Sequence, residues 1–306
     1  MEAEDFKSLR QDMSAPFELS VIIVNYNAKG LLHKCLKAIF EDKSRKQVEV
    51  FLIDNASFDK SAEMVKENFP QVKMVANQKN LGFARGANQG IKLSQGKYVF
   101  LLNPDAYVKA DQMDKMIDFM EENKEIGVCG PMMTDEQGNL QYSCRRFPSY
   151  LTSICSSQSL LFRCFPRNPL SRNYLLTKDS HREQMEVDWV SGSALLARKD
   201  VLDKIGGLDE KFFMYVEDVD LCYRVKKAGW KVFYFPNAKV QHLIGSSTKK
   251  EKPKMIIQHH KSIYYFYQKH YVPNFILSIA VLWGVFLRMG IALLGYTIKS
   301  SIKANR

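Results

Sequence analysis

What most constrains this chain is an alternation of short apolar runs with helical stretches that starts near Leu19 and continues to residue 105. ELSVIIVNYN (18–27), VEVFLIDNAS (48–57), VKMVAN (72–77) and KYVFLLNPD (97–105) each hold an apolar run of strand length. Between them, GLLHKCLKAIFED puts Leu31, Leu32, Cys35, Leu36 and Ile39 on one helical face. SFDKSAEMVKENF and GFARGANQGIKLS read as two more helices, the first with Ser57 or Asp59 as its cap. Apolar strands separated by helices need cover on both faces. The pattern therefore predicts an α/β fold with a Rossmann-like, mostly parallel central sheet between two helical layers.

In such sheets ligands bind beyond the carboxyl ends of the strands. Asn25-Tyr26-Asn27, Asp54-Asn55 and Asn103-Pro104-Asp105 stand at those ends and should gather along one edge. No GxGxxG follows the first strand, and NLGFARGANQG has the wrong glycine spacing for it, which disfavours a dinucleotide oxidoreductase. A P-loop is absent as well.

The second half is built differently. Residues 145–176 are irregular, aromatic and basic, the character of a lid or binding insert. VDWVSGSALLARKDVLDKIGG supplies a strand and a helix, and GLDEKFFMYVEDVDLCYRVKKAGW carries Asp209, Glu217, Asp218 and Asp220. Glu217 and Asp220, three apart, share a helix face, whereas Asp218 points about 100° away. Asp220 and Arg224 are spaced to pair as scaffold. The aromatic lead-in Phe212-Phe213-Met214-Tyr215 sets a carboxylate against an apolar wall, where its proton affinity rises and general-base work becomes feasible. At the other strand end, Asp105 with a diphosphate and waters would complete the octahedral shell of Mg²⁺ or Mn²⁺. One acid that holds a cation and one that accepts a proton define a nucleotide-dependent transferase.

Charge is uneven: residues 243–306 contain ten Lys or Arg and one Glu. The residues between those charges favour a membrane over nucleic acid. The stretch 274–299 is long enough for a bilayer span, yet has Arg288 near its middle. Its flanking charges do not orient a single span, so helices on or dipping into the cytoplasmic leaflet are expected. The polar N-terminal stretch lacks the pattern of a secretory signal, and the six cysteines form no CxxC pair, so a cytoplasmic chain with reduced thiols is expected.

Taken in order, SVIIVNYN, IDNASFDKS, NLGFARGANQG, FLLNPDAYV, VDWVSGSALLAR, GLDEKFFMYVEDVDLCYRVKKAGW and HLIGSS resemble glycosyltransferase family 2, in particular its rhamnosyltransferase-like branch of bacterial polysaccharide assembly. The resemblance spans about residues 18–248. It implies a GT-A fold and inverting transfer from a nucleotide-activated sugar. By position it implies donor contacts at Asn25, Asn27, Asp54, Asn55, Asn80, Arg85, Asn88 and Asn103. Asp105 matches the last acid of the DXD metal motif, whose first acid is here Asn103, and His242 is placed to reach the metal or diphosphate. Asp218 matches the catalytic base with Glu217 as alternate, while Trp189 and Gly192 fall near the acceptor. The partners implied are a dTDP-rhamnose donor, with UDP- or GDP-sugars as alternatives, a saccharide or lipid-linked saccharide acceptor, and the cytoplasmic membrane surface.

The domain reading is a polar extension (1–17), a transferase domain (18–248) with a donor half (about 18–110) and an acceptor half (about 111–248), and a basic apolar tail (249–306). Two rival readings remain. A nucleotidyltransferase would need a basic glycine-rich loop after the first strand, where NYNAKGLLHK offers little beyond Lys29. A non-catalytic, membrane-bound saccharide-binding scaffold would have no need of Asp105 or of the Glu217-Asp218 pair.

Overall fold

The computed structural model describes residues 17–149, 165, 169–176, 181–243, 252–271 and 275–304. The N-terminal extension, most of the 145–176 insert and most of HLIGSS lie outside the described residues. Strands β1 (Leu19–Asn25), β2 (Val48–Asp54), β3 (Lys73–Ala76) and β4 (Tyr98–Leu102) pair in parallel, in the order β3-β2-β1-β4. Register puts Asn25 beside Asp54, so the polar strand ends do line one edge.

Alternation along each strand sorts the core into two layers. Val21, Ile23, Val50 and Leu52 face α1 (Lys29–Glu41), α2 (Ser61–Asn68) and α4 (Ala110–Glu122). Ile22, Phe51 and Ile53 face α3 (Phe83–Leu93), α6 (Lys199–Ile205) and α7 (Glu217–Lys227). Helix α1 buries Leu32, Cys35, Leu36 and Ile39, each apolar side chain giving about 1.5–3 kcal/mol of transfer free energy. In α3, Gly86 and Gly90 lie so close to Val24 and Ile22 that an added Cβ would stand 2.9 and 2.5 Å from those side chains. The glycines of NLGFARGANQG thus seat a helix on β1. Neither Ser57 nor Asp59 caps α2, whose N-cap is Lys60 in the left-handed region. Ser57 is instead drawn into the strand-end network, and Asp59 accepts the Ser61 backbone N–H.

Beyond β4 the sheet becomes mixed. β11 (Ala194–Arg198) inserts antiparallel between β4 and β6 (Ile126–Thr134), and β12 (Lys231–His242) runs parallel to β6. Short strands complete the sheet: β5 (Ala106–Tyr107) and β9 (Met185–Glu186) pair with β12, and β7 (Leu140–Gln141) pairs with β6. A separate ribbon joins β8 (Cys144–Arg145) to β10 (Trp189–Val190), and α5 (Pro169–Tyr174) lies in the insert.

Helix α8 (Lys252–His270) docks on α7 through Phe266, Tyr223 and Tyr271, and the Ser262 hydroxyl donates to the Met214 carbonyl at 2.8 Å. Residues on the two sides of position 248 thus share one packed cluster. Helix α9 (Phe275–Ala304) joins α8 through Ser278, which receives hydrogen bonds from Gln268 (2.7 Å) and lies 3.3 Å from the Tyr264 hydroxyl.

Candidate active site

At the first two strand ends, polar side chains are knitted into one network. Asn25 Nδ2 donates to Asp54 Oδ1 (2.9 Å) and Ser57 Oγ (3.0 Å), and Ser57 donates its N–H and hydroxyl to the Asp54 carboxylate. Asn27, at φ 53°, gives its backbone N–H to Ser57 Oγ and accepts from the Phe58 N–H. Asn25 Oδ1 is buried without a hydrogen bond, an acceptor whose desolvation is uncompensated within the protein. Asn55 donates to the Gly82 carbonyl and accepts from Asn77. Asn80 accepts from the Gly82 N–H. Of the residues implied for the donor, Asn25, Asn27 and Asp54 are linked through Ser57, and Asn55 joins Asn77 and the Gly82 backbone that Asn80 also meets, with Ser57 and Asn77 as members that the sequence reading did not place there.

Arg85 and Asn88 point elsewhere. Asn88 uses both ends of its amide on the backbone of Leu208, and Arg85 lies 3.5 Å from Glu210 in an exposed pair. Both tie α3 to the segment before α7. Gly82, at φ +84°, brings that tie closest: the Phe83 N–H donates to the Phe213 carbonyl at 2.7 Å, and an added Cβ on Gly82 would stand 2.4 Å from the same oxygen.

The end of β4 carries the acid that opened onto this edge. Asp105 is 1% exposed, and its Oδ1 lies 3.5 Å from His242 Nε2. Pairing of β5 with β12 sets Ala106 opposite His242 and so brings the imidazole there from 137 positions along the chain. Gln141 fixes the tautomer. Its Nε2 donates to the His242 carbonyl (2.7 Å), so its Oε1 must accept, and the atom 3.1 Å away, His242 Nδ1, must carry the hydrogen. Nε2 thus faces a carboxylate oxygen, and an N/O donor pair at that separation suits Mg²⁺ or Mn²⁺ completed by phosphate and water oxygens. No cluster of three or more ligating side chains occurs among the described residues, so such an ion would take most of its shell from its ligands.

The second acid meets the first across one turn. Asp218 Oδ2 accepts the Gly192 N–H at 2.9 Å, and the adjoining Ser193 takes the Asn103 N–H on its carbonyl and Asn103 Nδ2 on its hydroxyl. Residues 192–193 therefore hold Asp218 on one side and Asn103-Pro104-Asp105 on the other. A Cβ on Gly192 would stand 3.1 Å from Asp218 Cβ, so glycine permits the approach. Burial raises the proton affinity of Asp218, opposed by the Gly192 and Val219 N–H groups and by the charge of Arg145. Glu217 is driven well above the ordinary carboxylate range by burial and then by the Asp218 charge, and its Oε2 is buried without a hydrogen bond. Tyr215 and Val216 immediately before it both have positive φ, 68° and 70°, unusual for a β-branched residue and a local store of strain.

Scaffold contacts hold this helix start. Asp220, fully buried, pairs with Arg224 (2.8 Å) as its spacing predicts, and also with Lys269 and His270 of α8 (both 2.7 Å). Burial pushes its pKa up, yet the three partners hold it at about 2. Trp189 donates its indole N–H to the Arg146 carbonyl and stacks under Arg145, whose guanidinium is 5.3 Å from the ring. Arg145 lay unassigned within the basic aromatic insert.

Comparison with known proteins adds the following. A family model for Glycosyl transferase family 2 matches residues 20–206. An N-acetylglucosaminyl-diphospho-decaprenol L-rhamnosyltransferase of Mycobacterium tuberculosis (strain CDC 1551 / Oshkosh) is 32% identical over 259 residues, covering 81% of this chain and 83% of that protein. The mannosyltransferase PcManGT from Pyrobaculum calidifontis, solved with GDP-Man and Mn²⁺, superposes with a TM-score of 0.57 at 16% identity, over 99% of this chain and 81% of that one. GalNAc-T7 with UDP, GalNAc and Mn²⁺ gives 0.57 at 17% identity, over 83% of this chain and 50% of that one. At such identities these two structures bear on the fold alone.

Proposed function

The chain belongs to glycosyl transferase family 2 and has a GT-A fold, and from that premise we propose an inverting sugar transfer at the cytoplasmic face of a membrane. The donor is a nucleoside-diphosphate sugar, with dTDP-rhamnose favoured by the rhamnosyltransferase relative. The acceptor is a saccharide carried on a lipid diphosphate, again by analogy with that relative's substrate. The reaction serves cell-surface polysaccharide synthesis.

The observation that carries the mechanism is the shared turn: Gly192 holds Asp218 while Ser193 holds the strand end bearing Asp105. Asp218 takes the proton from an acceptor hydroxyl as its oxygen bonds to the anomeric carbon. The bond from that carbon to the diphosphate breaks, and the leaving group departs with the electron pair, inverting the centre. Glu217, held protonated by burial and by its neighbour, leaves Asp218 as the ionised member of the pair. Asp105 and His242 would hold a Mg²⁺ or Mn²⁺ ion, which when bound neutralises charge on the departing diphosphate. The Asn25–Asp54–Ser57 network shapes the donor edge, and positioning with charge neutralisation supplies most of the rate.

The test pairs two variants against a panel of nucleotide sugars. Asp218→Asn retains donor binding by calorimetry and loses transfer by at least about a hundredfold. Asp105→Ala weakens nucleotide binding when Mn²⁺ is present and changes little in chelator. Near-normal turnover in Asp218→Asn, or an unaltered metal dependence in Asp105→Ala, would refute the assignment.

A further inference from the structure

A second group of charged side chains gathers beside Asp218, outside the catalytic pair. The β8–β10 ribbon sets Arg145 directly opposite Trp189, and its guanidinium lies 5.3 Å from that indole and 6.0 Å from the ring of Tyr174. Its Nε is buried with no hydrogen-bond partner. On α8, His259 and His260 stand with ring centroids 5.7 Å apart, and His260 Nδ1–H donates to the Ile256 carbonyl, leaving a buried Nε2 with no partner. Arg288 approaches from α9: the α8–α9 hairpin sets Ser278 against Tyr264 and Gln268, and about three turns further along α9 Arg288 lies alongside the part of α8 that carries His259 and His260. Its charge acts on both imidazoles and on the hydroxyls of Tyr174 and Tyr267, while Arg145 acts on His259 and on Asp218.

Among the described residues neither guanidinium has a carboxylate within ion-pair distance. The field there is positive enough that His259, desolvated first and then repelled by its neighbours, is held neutral down to about 3. Partly buried cations without a carboxylate partner are costly to keep, and their usual justification is an anion that arrives from outside. The location narrows what that anion is. Ile276, Ile279, Trp283, Leu287, Ile291 and Leu294 form an exposed apolar stripe along α9, and Arg288 projects about 100° away from Leu287 toward α8. One side of this helix suits lipid chains while the other presents an arginine to the acceptor side of the site.

We propose that Arg145 and Arg288 together bind the phosphoryl groups of a lipid-diphosphate acceptor, with the sugar beside Asp218 and the lipid along the apolar face of α9. This rests on the acceptor class given above and assigns residues to it. Two guanidinium forks match the geometry of phosphoryl oxygens, which lysines would meet only as point charges. The Arg in the middle of the apolar segment, awkward for a simple span, is thereby a ligand-binding group.

The test uses the full chain in phosphatidylcholine nanodiscs with EDTA, which keeps metal-dependent donor-side binding out. Undecyl diphosphate and undecyl maltoside serve as charged and neutral probes. Wild type binds the diphosphate at least about tenfold more tightly, and Arg145→Gln and Arg288→Gln each lose about tenfold or more for it while the maltoside is unchanged. Equal affinity of wild type for both probes, or undiminished diphosphate binding in the variants, overturns the proposal. So does an Arg288→Gln variant that only loses retention on phosphatidylglycerol nanodiscs, since Arg288 would then serve bilayer head groups. If a Gln variant fails to fold, the corresponding Lys variant decides: a loss of about threefold or more supports the site and unchanged affinity counts against it. No donor is present, so failure of the transferase reading would appear separately, as absent turnover with intact diphosphate binding.

Discussion

Glu217 and Asp218 are adjacent in the chain and unlike in their surroundings. Glu217 is 7% exposed with an unbonded Oε2, whereas Asp218 is half-buried and accepts the Gly192 N–H. Since burial and the neighbouring charge raise the proton affinity of Glu217 in the folded protein, the unfolded chain ionises first. Above the ordinary glutamate range the folded state therefore binds more protons, and stability falls as pH rises toward the folded-state value. Glu217→Gln removes that slope. Its Tm should match wild type near pH 4 and exceed it by a few degrees at pH 8, and parallel calorimetric curves would rule out a protonated Glu217. Single residues stand out in the sequence where a local pattern marks them, as with Asp105 at a strand end, whereas the aromatic run before Glu217 and Asp218 marks the pair and only the family resemblance chooses between them. Gln141, which sets the His242 tautomer, and Ser193, which holds Asn103, act across 101 and 90 positions, and no local pattern marks them. Asn88 shows the converse, an amide on the expected helix, implied for the donor, that is turned onto the backbone of Leu208.

Among the elements, α8 carries the least expected role. Its aromatic stripe reads as packing, and it does pack, but its last turn also delivers Lys269 to Asp209 and Asp220 and His270 to Asp220. Taking both away strands a fully buried carboxylate with Arg224 alone. Lys269→Met with His270→Phe should cost about 3 kcal/mol, speed hydrogen exchange across 252–270 and lower turnover without altering nucleotide affinity. Unchanged exchange in α8 would show that the aromatic contacts alone seat it. Strands β1 to β4 and helices α1 to α3 are visible in the sequence because each repeats its own period. The strand in VDWVSGSALLAR is visible too, but its antiparallel direction is not, since a strand buried on both faces reads the same in either direction.

At the scale of the molecule, the exposed stripe of α9 and the basic tail are the surface that the proposed membrane contact would use. The stretch 275–297 has a mean hydropathy of 2.1, and the face of it turned away from α8 is exposed. Trp283→Lys with Leu287→Lys should cut co-sedimentation with phosphatidylglycerol vesicles by about tenfold while leaving donor affinity intact, and equal sedimentation would exclude this face as the lipid contact. The clamp on Asp220 has a consequence in time. During synthesis Asp220 meets Arg224 first and Lys269 and His270 only after α8 has been made, so the helix start that carries Asp218 receives the last of its counter-charges from a segment translated well after it.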